Sequence, residues 1–365
     1  MHAALAGLSE RIRAAAAERK PLRVRAGGSK DFYGNTPQGA VLDPRGINGI
    51  VSYEPSELAM AAHCGTPLAE IEAALEAQGQ MLAFEPPHFG AGATIGGCIA
   101  SGLAGPRRAS TGYTNGGVRD FVLGAKLLDG RAQLLSFGGT VMKNVAGYDV
   151  ARLLAGSLGI LGVIIEVSFK VVPKPCRETT LRFAMHESAA LNQLNAWGGQ
   201  PLPISASVWH ADTLCVRLSG SESAIDAASA RLGGEAIEPL AAAQIWHELR
   251  EQTDPFFCGE VPLWRLSVPS CAAPLELGAT QLIEWGGALR WIRSTRPAAE
   301  IRARARILGG HATLFRGGER AQGVFTPLAP TLNAIHRRLR AQFDPHGIFD
   351  GGRLYPEARD ANHTR

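Results

Sequence analysis

A chain of 365 residues, 45% of them hydrophobic, carries enough apolar material for two or three domains with substantial cores. Its net charge of +4 sets up no field strong enough to make nucleic acid the default partner, and the basic run Arg290–Arg306 reads as a solvated face. The six cysteines form no CxxC pair, which argues against an iron–sulfur or zinc site made by this chain alone and reads as reduced thiols in a cytoplasmic protein.

The first twenty residues alternate alanines with charges as an amphipathic helix does and lack the apolar core of a secretory signal, so the expectation is a protein that is not exported. Pro21–Ala26 and Ala40–Asp43 read as strands around the loop GGSKDFYG, Gly27–Gly34. Leu58–Cys64 alternates as a strand, and Thr66 stands where it would cap a helix over Pro67–Ala77. Next comes FGAGATIGGCIASGLAGPRR, Phe89–Arg108, too rich in glycine for a long helix and too apolar for a solvated loop. Each glycine costs conformational entropy on folding, and a ligand touching bare backbone would offset it.

Arg119–Asp129 and Ala132–Phe137 read as a hairpin turned at Asp129-Gly130. Tyr148–Ala155 reads as helix and Gly162–Val172 as a buried strand stopped by Pro173 and Pro175, the expected domain boundary. Val150–Phe169 is the best candidate for a membrane span, but Arg152, Glu166 and three glycines interrupt it, and it reads as a helix end running into a buried strand. Beyond it, strand Thr180–Ala184, helix Ser188–Trp197, strands Ile204–His210 and Thr213–Ser219, and helix Glu222–Leu232 have the β-α-β-β-α order of a ferredoxin-like layer. Strands Leu263–Val268 and His311–Phe315 and a helix over Leu328–Phe343 follow, and no internal repeat is legible. Trp264, Trp285 and Trp291 read as core, with an exposed interface patch as the alternative.

Gly90, Gly92 and Gly96 are spaced GxGxxxG without a preceding strand, which is not a dinucleotide-binding fingerprint. The better reading is that Thr94, Ile95, Gly96 and Gly97 open a short helix whose free N–H groups face an anion. Gly27, Gly28 and Ser29 offer a second set of donors, to which Lys30 adds charge. Either loop alone is an ordinary tight turn; together they suit a diphosphate. His210, His247 and His311 read as surface or core residues, no metal site is expected, and no catalytic residue can be named.

The order GGS loop, ATIGG helix start, GGVRDFVLG, KNVAGYD and GSLGILGVIIEVSFKV resembles the FAD-linked oxidases of the vanillyl-alcohol oxidase (PCMH) type. Within them, HFGAGATIGGCIASGLAGPRR with VMKNVAGYD looks like the smaller FAD-binding E subunits of bacterial glycolate oxidases. The resemblance implies an α+β protein: a two-subdomain PCMH-type FAD-binding domain over residues 1–175, a reduced ferredoxin-like cap over 176–325, and a helix and tail over 326–365 that return to the FAD domain. It implies noncovalent FAD, because the first loop has no His or Cys to link it. The diphosphate would lie on Gly27, Gly28, Ser29, Lys30, Thr94, Ile95, Gly96 and Gly97, and the adenosine end along Gly156, Ser157, Gly162 and Val163. Arg119, Asp120, Asn144 and Gly147 match family segments near the cofactor. FDPHGIFDGGRLYP, Phe343–Pro356, departs from the family's C-terminal signature at Asp350–Arg353.

The implied partners are a larger FAD subunit and an iron–sulfur subunit. The complex would oxidise glycolate or a related small 2-hydroxy acid in the cytoplasm, peripheral to the inner membrane. Whether this chain catalyses, or holds an FAD that relays electrons for a neighbour, stays open on the residues alone. A free-standing flavin reductase of the same fold fits KNVAGYD poorly.

Overall fold

The structure is a computed structural model that describes residues 2–110, 116–139 and 149–355. The chain opens with α1 (His2–Glu18), which buries Leu8, Ile12 and Ala15 on one helical stripe. β1 (Leu22–Val24) and β2 (Ala40–Leu42) form a parallel pair whose connection is the first glycine loop. β3 (Ile50–Glu54), β4 (Ala59–His63), α2 (Leu68–Glu76), β5 (Gln80–Met81), α3 (Ile95–Ser101), α4 (Val118–Phe121), β6 (Val122–Leu128), β7 (Leu134–Gly138), β8 (Val163–Lys170) and β9 (Val172–Pro173) complete the first half. An antiparallel sheet of order β3-β4-β8-β6-β7 holds it together. β8 sits at its centre and is buried on both faces, which is why its sequence VIIEVSFK is nearly continuous apolar rather than alternating.

Local chemistry sets the turns. Asp129, fully buried, accepts from the amides of Arg131 (2.9 Å) and Gln133 (2.8 Å) and closes the β6–β7 hairpin. Thr66 does not cap α2, whose N-cap is Pro67; its hydroxyl instead donates to His63 O (2.7 Å) and accepts from Gly49 N (2.9 Å), tying two loops. The helix expected over Tyr148–Ala155 is a single 3₁₀ turn over Ala151–Leu154, Tyr148 lying outside the described residues.

The second half consists of β10 (Arg177–Ala184), α5 (Glu187–Gly198), β11 (Ile204–His210), β12 (Thr213–Gly220), α6 (Glu222–Leu232), β13 (Glu235–Ala236), α7 (Pro239–Glu251), β14 (Leu263–Ser267), β15 (Gln281–Glu284), β16 (Leu289–Arg293), α8 (Ala298–Ile307) and β17 (His311–Arg316), followed by α9 (Pro330–Phe343). Its sheet runs β13-β10-β12-β11-β15-β16-β14-β17. Each half of that order is the 4-1-3-2 strand order of a βαββαβ unit, so two ferredoxin-like units share one sheet through the antiparallel β11–β15 pair. The repeat escapes the sequence because the second unit has an irregular segment, 268–280, where the first has α5.

That segment explains the arginines. Backbone carbonyls outside a helix or sheet need donors, and Arg290, fully buried, donates to Ala272 O (2.5 Å), Ala273 O (2.6 Å) and Gly287 O (3.2 Å). Arg304 donates to Leu275 O (2.7 Å) and Arg296 to Leu277 O (2.9 Å). The run Arg290–Arg306 is therefore no solvated face: several of its members hold up a loop. Arg290→Met is expected to lower the urea-unfolding free energy by about 3 kcal/mol, because it removes a buried guanidinium's hydrogen bonds to three loop carbonyls; a loss below about 1 kcal/mol would contradict that role.

Trp264, Trp285 and Trp291 are buried, so the interface patch that their exposure would have made is absent. Glu85 stands between the halves and joins them. Its carboxylate accepts from Arg217 Nη2 (2.9 and 3.0 Å) and from Arg107 N (2.9 Å), while Arg107 also pairs with Glu178. After α9 the chain crosses back: Leu22 N donates to Ile348 O (2.6 Å), Asp350 N to Leu22 O (3.0 Å) and Asn35 Nδ2 to Gly352 O (2.7 Å).

Candidate functional site

A cleft opens in the first half, lined by the 24–31 loop, the start of α3, Gly159, Gly162, Ile164 and Arg353. The 24–31 loop is built to present backbone. Among the described residues none accepts a hydrogen bond from the amides of Gly27, Gly28, Ser29 or Lys30. Arg25 Nε donates to Asp31 Oδ2 (2.5 Å), bracing the loop across its base. Gly28 has φ +72°, and a Cβ on it would lie 2.2 Å from the Arg25 guanidinium, so only glycine fits. Lys30 Nζ donates to His88 O (3.2 Å), and burial pushes its pKa down.

The other wall differs from the sequence reading. Ile95 N donates to Thr66 O (3.0 Å), Gly96 N to Cys64 O (2.9 Å) and Gly97 N to Thr94 Oγ1 (3.2 Å), so those amides are taken by the protein. The glycines serve close approach instead. A Cβ on Gly96 would meet Cys64 Cβ and O at 2.7 Å; one on Gly27 would lie 1.5 Å from Gly92 O. Gly96 thus seats α3 against the strand end at Cys64 rather than opening backbone to a ligand, while Gly97 faces the cleft with only Thr94 Oγ1 near its missing side chain, at 3.3 Å.

Of the residues expected at the site, Gly27, Gly28, Ser29, Lys30, Thr94, Gly96, Gly97 and Gly162 line the cleft. Ile95 and Val163 are core residues behind it, and Ser157 is buried. Gly156 (φ +84°) lies against Gly102, where its amide would sit 3.0 Å from a Cβ on that glycine. Asp120 accepts from Gly117 N (2.9 Å) and lies 3.9 Å from Arg119, away from the cleft. Asn144 and Gly147 lie outside the described residues.

Sequence reasoning missed Arg25, Asp31 and Arg353. Arg353 is buried, donates to Asn35 O (2.5 Å) and Asp31 O (2.9 Å), and brings the C-terminal tail to the cleft wall. The departure at Asp350–Arg353 thus adds a contact to the first loop. No spacing rule could find a partner more than 300 residues away.

A second cavity lies where the eight-stranded sheet of the second half faces the glycine-rich segment. Trp285 Nε1 donates to Gly105 O (3.0 Å), and Glu251 accepts from the amides of His88 (3.1 Å) and Phe89 (2.9 Å), so the second half clasps that segment. Arg265, Glu284, Phe89, Leu103, Trp291 and Phe315 are among its lining residues. Burial pushes Arg265 down and Glu284 up to about 7, the latter against a hydrogen bond from Trp291 Nε1 (2.8 Å). Neither stood out in the sequence, where a lone Arg and Glu on separate strands carry no pattern.

A family model described as an FAD binding domain matches residues 5–151. The glycolate oxidase subunit GlcE of Escherichia coli (strain K12) is 47% identical over 350 residues, 96% of this chain and 97% of that protein. The glycolate oxidase subunit GlcD of Bacillus subtilis (strain 168) is 32% identical over 172 residues, 47% of this chain and 35% of that protein. A solved alkyldihydroxyacetonephosphate synthase superposes with a TM-score of 0.63 over 93% of this chain and 74% of its own, at 14% identity, a likeness of fold alone. The cofactor is FAD, and the cleft fits it: uncommitted amides over Gly27–Lys30, glycine contacts that no side chain could share, and a charged Lys30 at the rim suit a diphosphate. With its α+β architecture, its FAD-binding region and near end-to-end identity to that protein, the chain belongs to the glycolate oxidase subunit GlcE family.

Proposed function

We propose that this chain is the FAD-holding subunit of a glycolate oxidase, and that it works beside a larger flavin subunit of GlcD type and an iron–sulfur subunit. The observation that carries this is the identity to GlcE along 96% of the chain, together with a cleft whose loop amides have no other use. When bound, FAD supplies acceptance of a hydride equivalent from a 2-hydroxy acid. The chain's own residues hold and orient it: the amides of Gly27–Lys30 take the diphosphate, Gly97 and Thr94 face it from α3, and Gly162 borders the adenosine end. Arg353 and Asp31 fix the loop from behind.

The units 1–175, 176–325 and 326–365 serve respectively as FAD domain, cap and return segment. Among the described residues no helix is long and apolar enough to cross a membrane; a cytoplasmic complex, peripheral to the inner membrane, fits this reading. Anaerobic titration of the purified chain with glycolate tests it. Flavin bleaching by the chain alone assigns catalysis to it, whereas bleaching only in the assembled complex assigns it a relay role. No glycolate-dependent bleaching in either would overturn the reading.

The FAD is held without a covalent bond. Burial pushes the thiols of Cys64 and Cys98, the cysteines nearest the cleft, up to about 12, so neither is a thiolate at neutral pH. Acid precipitation is expected to leave essentially all flavin in the supernatant. Yellow colour that stays with the pellet would contradict it.

A further inference from the structure

Two charged side chains at the second cavity keep atoms without a protein partner. Arg265 lies with its guanidinium over Trp285 (5.3 Å) and Trp291 (6.0 Å), and no described residue accepts a hydrogen bond from it. Glu284 is buried and uses one oxygen, Oε1, for Trp291 Nε1 (2.8 Å); its Oε2 accepts from no described residue. Both side chains border the same small cavity of about 20 Å³, whose other walls are mostly apolar and aromatic, with Arg250 and Gln252 at one side. Tyr33, from the first glycine loop, lies close enough to Arg265 to act on its charge. Arg316 stands nearby over Phe32 (4.4 Å) and Phe89 (5.0 Å), again without a carboxylate partner. Cationic charge therefore exceeds anionic charge in a partly dehydrated space between the two halves.

A half-buried guanidinium with no protein acceptor has donors to spare, and its fork of donors matches a carboxylate. A carboxylate oxygen with a free lone pair beside it matches a hydroxyl. A ligand that satisfies both is an acid with an adjacent O–H. A diacid would set its second carboxylate against Glu284, and an alcohol would leave Arg265 unpaired. The small space admits only a short carbon skeleton.

We propose that Arg265 and Glu284 form a binding subsite for a small 2-hydroxy acid in this chain's own cap, Arg265 taking the carboxylate and Glu284 Oε2 accepting from the hydroxyl. The proposal rests on the glycolate oxidase reading and extends it by giving this subunit a substrate site of its own. The alternative is that Arg265 is held only by stacking on the two tryptophans.

The test is anaerobic equilibrium dialysis of radiolabelled glycolate and acetate against the full-length, flavin-loaded chain, with the flavin pre-reduced so that glycolate is not consumed. The wild-type chain is expected to prefer glycolate to acetate by about fivefold, one charge-assisted hydrogen bond's worth. Arg265→Met should weaken both ligands by more than about tenfold, and Arg265→Lys should recover part of that loss. Glu284→Gln should leave acetate binding equal or tighter while the preference for glycolate shrinks.

Flavin content and melting temperature, measured on each variant, confirm that the fold is intact. Equal binding of glycolate by Arg265→Met and wild type, or equal wild-type binding of the two acids, or binding of neither, would overturn the subsite. Glycolate-driven dye reduction by the whole complex separates the two levels. A wild-type complex that turns over glycolate, with an Arg265→Met complex that does so equally, removes the subsite and leaves the glycolate oxidase reading standing. A wild-type complex that never oxidises glycolate removes that reading itself.

Discussion

Gly27→Ala is expected to give a protein purified with less than about one-tenth of the wild-type flavin. The new methyl carbon would lie 1.5 Å from Gly92 O, a backbone atom that no rotamer change can move aside. The two loops must part by roughly 2 Å to restore ordinary contact, and the amides of Gly27–Lys30 move with them. Because both loops line the cleft, that displacement falls on the site itself. The flavin-to-protein absorbance ratio measures the effect, and wild-type flavin content in a folded Gly27→Ala protein would show that the loop pair is not the cofactor's seat. Substitution at Gly96 is a poorer probe, since its side chain would strike Cys64 and disturb packing whether or not a ligand is bound. Gly97→Ala meets no protein atom nearer than Thr94 Oγ1, at 3.3 Å, so any flavin it loses reports the ligand facing α3 rather than disturbed packing.

Glu85→Ala is expected to destabilise the protein by about 3–5 kcal/mol, since it strands buried guanidinium groups without their counter-charge. Burial alone would raise the Glu85 pKa, but the charges of Arg217 and Arg107 and their hydrogen bonds outweigh it and hold the carboxyl below its ordinary value. A depressed carboxyl pKa contributes stability that is fully present above the unfolded value of about 4.3 and is lost as pH falls through the folded value. The gap in unfolding free energy between wild type and Glu85→Gln should therefore be constant from neutral pH down to about 5 and narrow below about 4. A gap that widens on acidification would show that Glu85 is protonated in the native protein. Since Glu85 links the glycine-rich segment to β12 through Arg217, its loss should also loosen the second half from the first, read as faster proteolysis between them.

Much of the first half was legible in the sequence, because its strands and turns are locally encoded. The alternation at Leu58–Cys64, the Asp129-Gly130 turn and the apolar run of β8 each name their own structure, and β4, the β6–β7 hairpin and β8 follow them. The glycine loops announced close contact with something, and the first loop's free amides are where the sequence placed them. What no local pattern could state is what each glycine touches. Gly96 faces Cys64 and Gly27 faces Gly92, pairs 32 and 65 positions apart, so steric need and ligand approach look alike until the chain is folded. The arginines of 290–306 read as solvent-facing because charge is normally solvated, yet they are drawn inward by carbonyls of a loop that lost its helix. Arg353, Arg265 and Glu284 gain their meaning from the tail's return and from the joining of two ferredoxin-like units, contacts set by packing across hundreds of residues rather than by spacing along the chain.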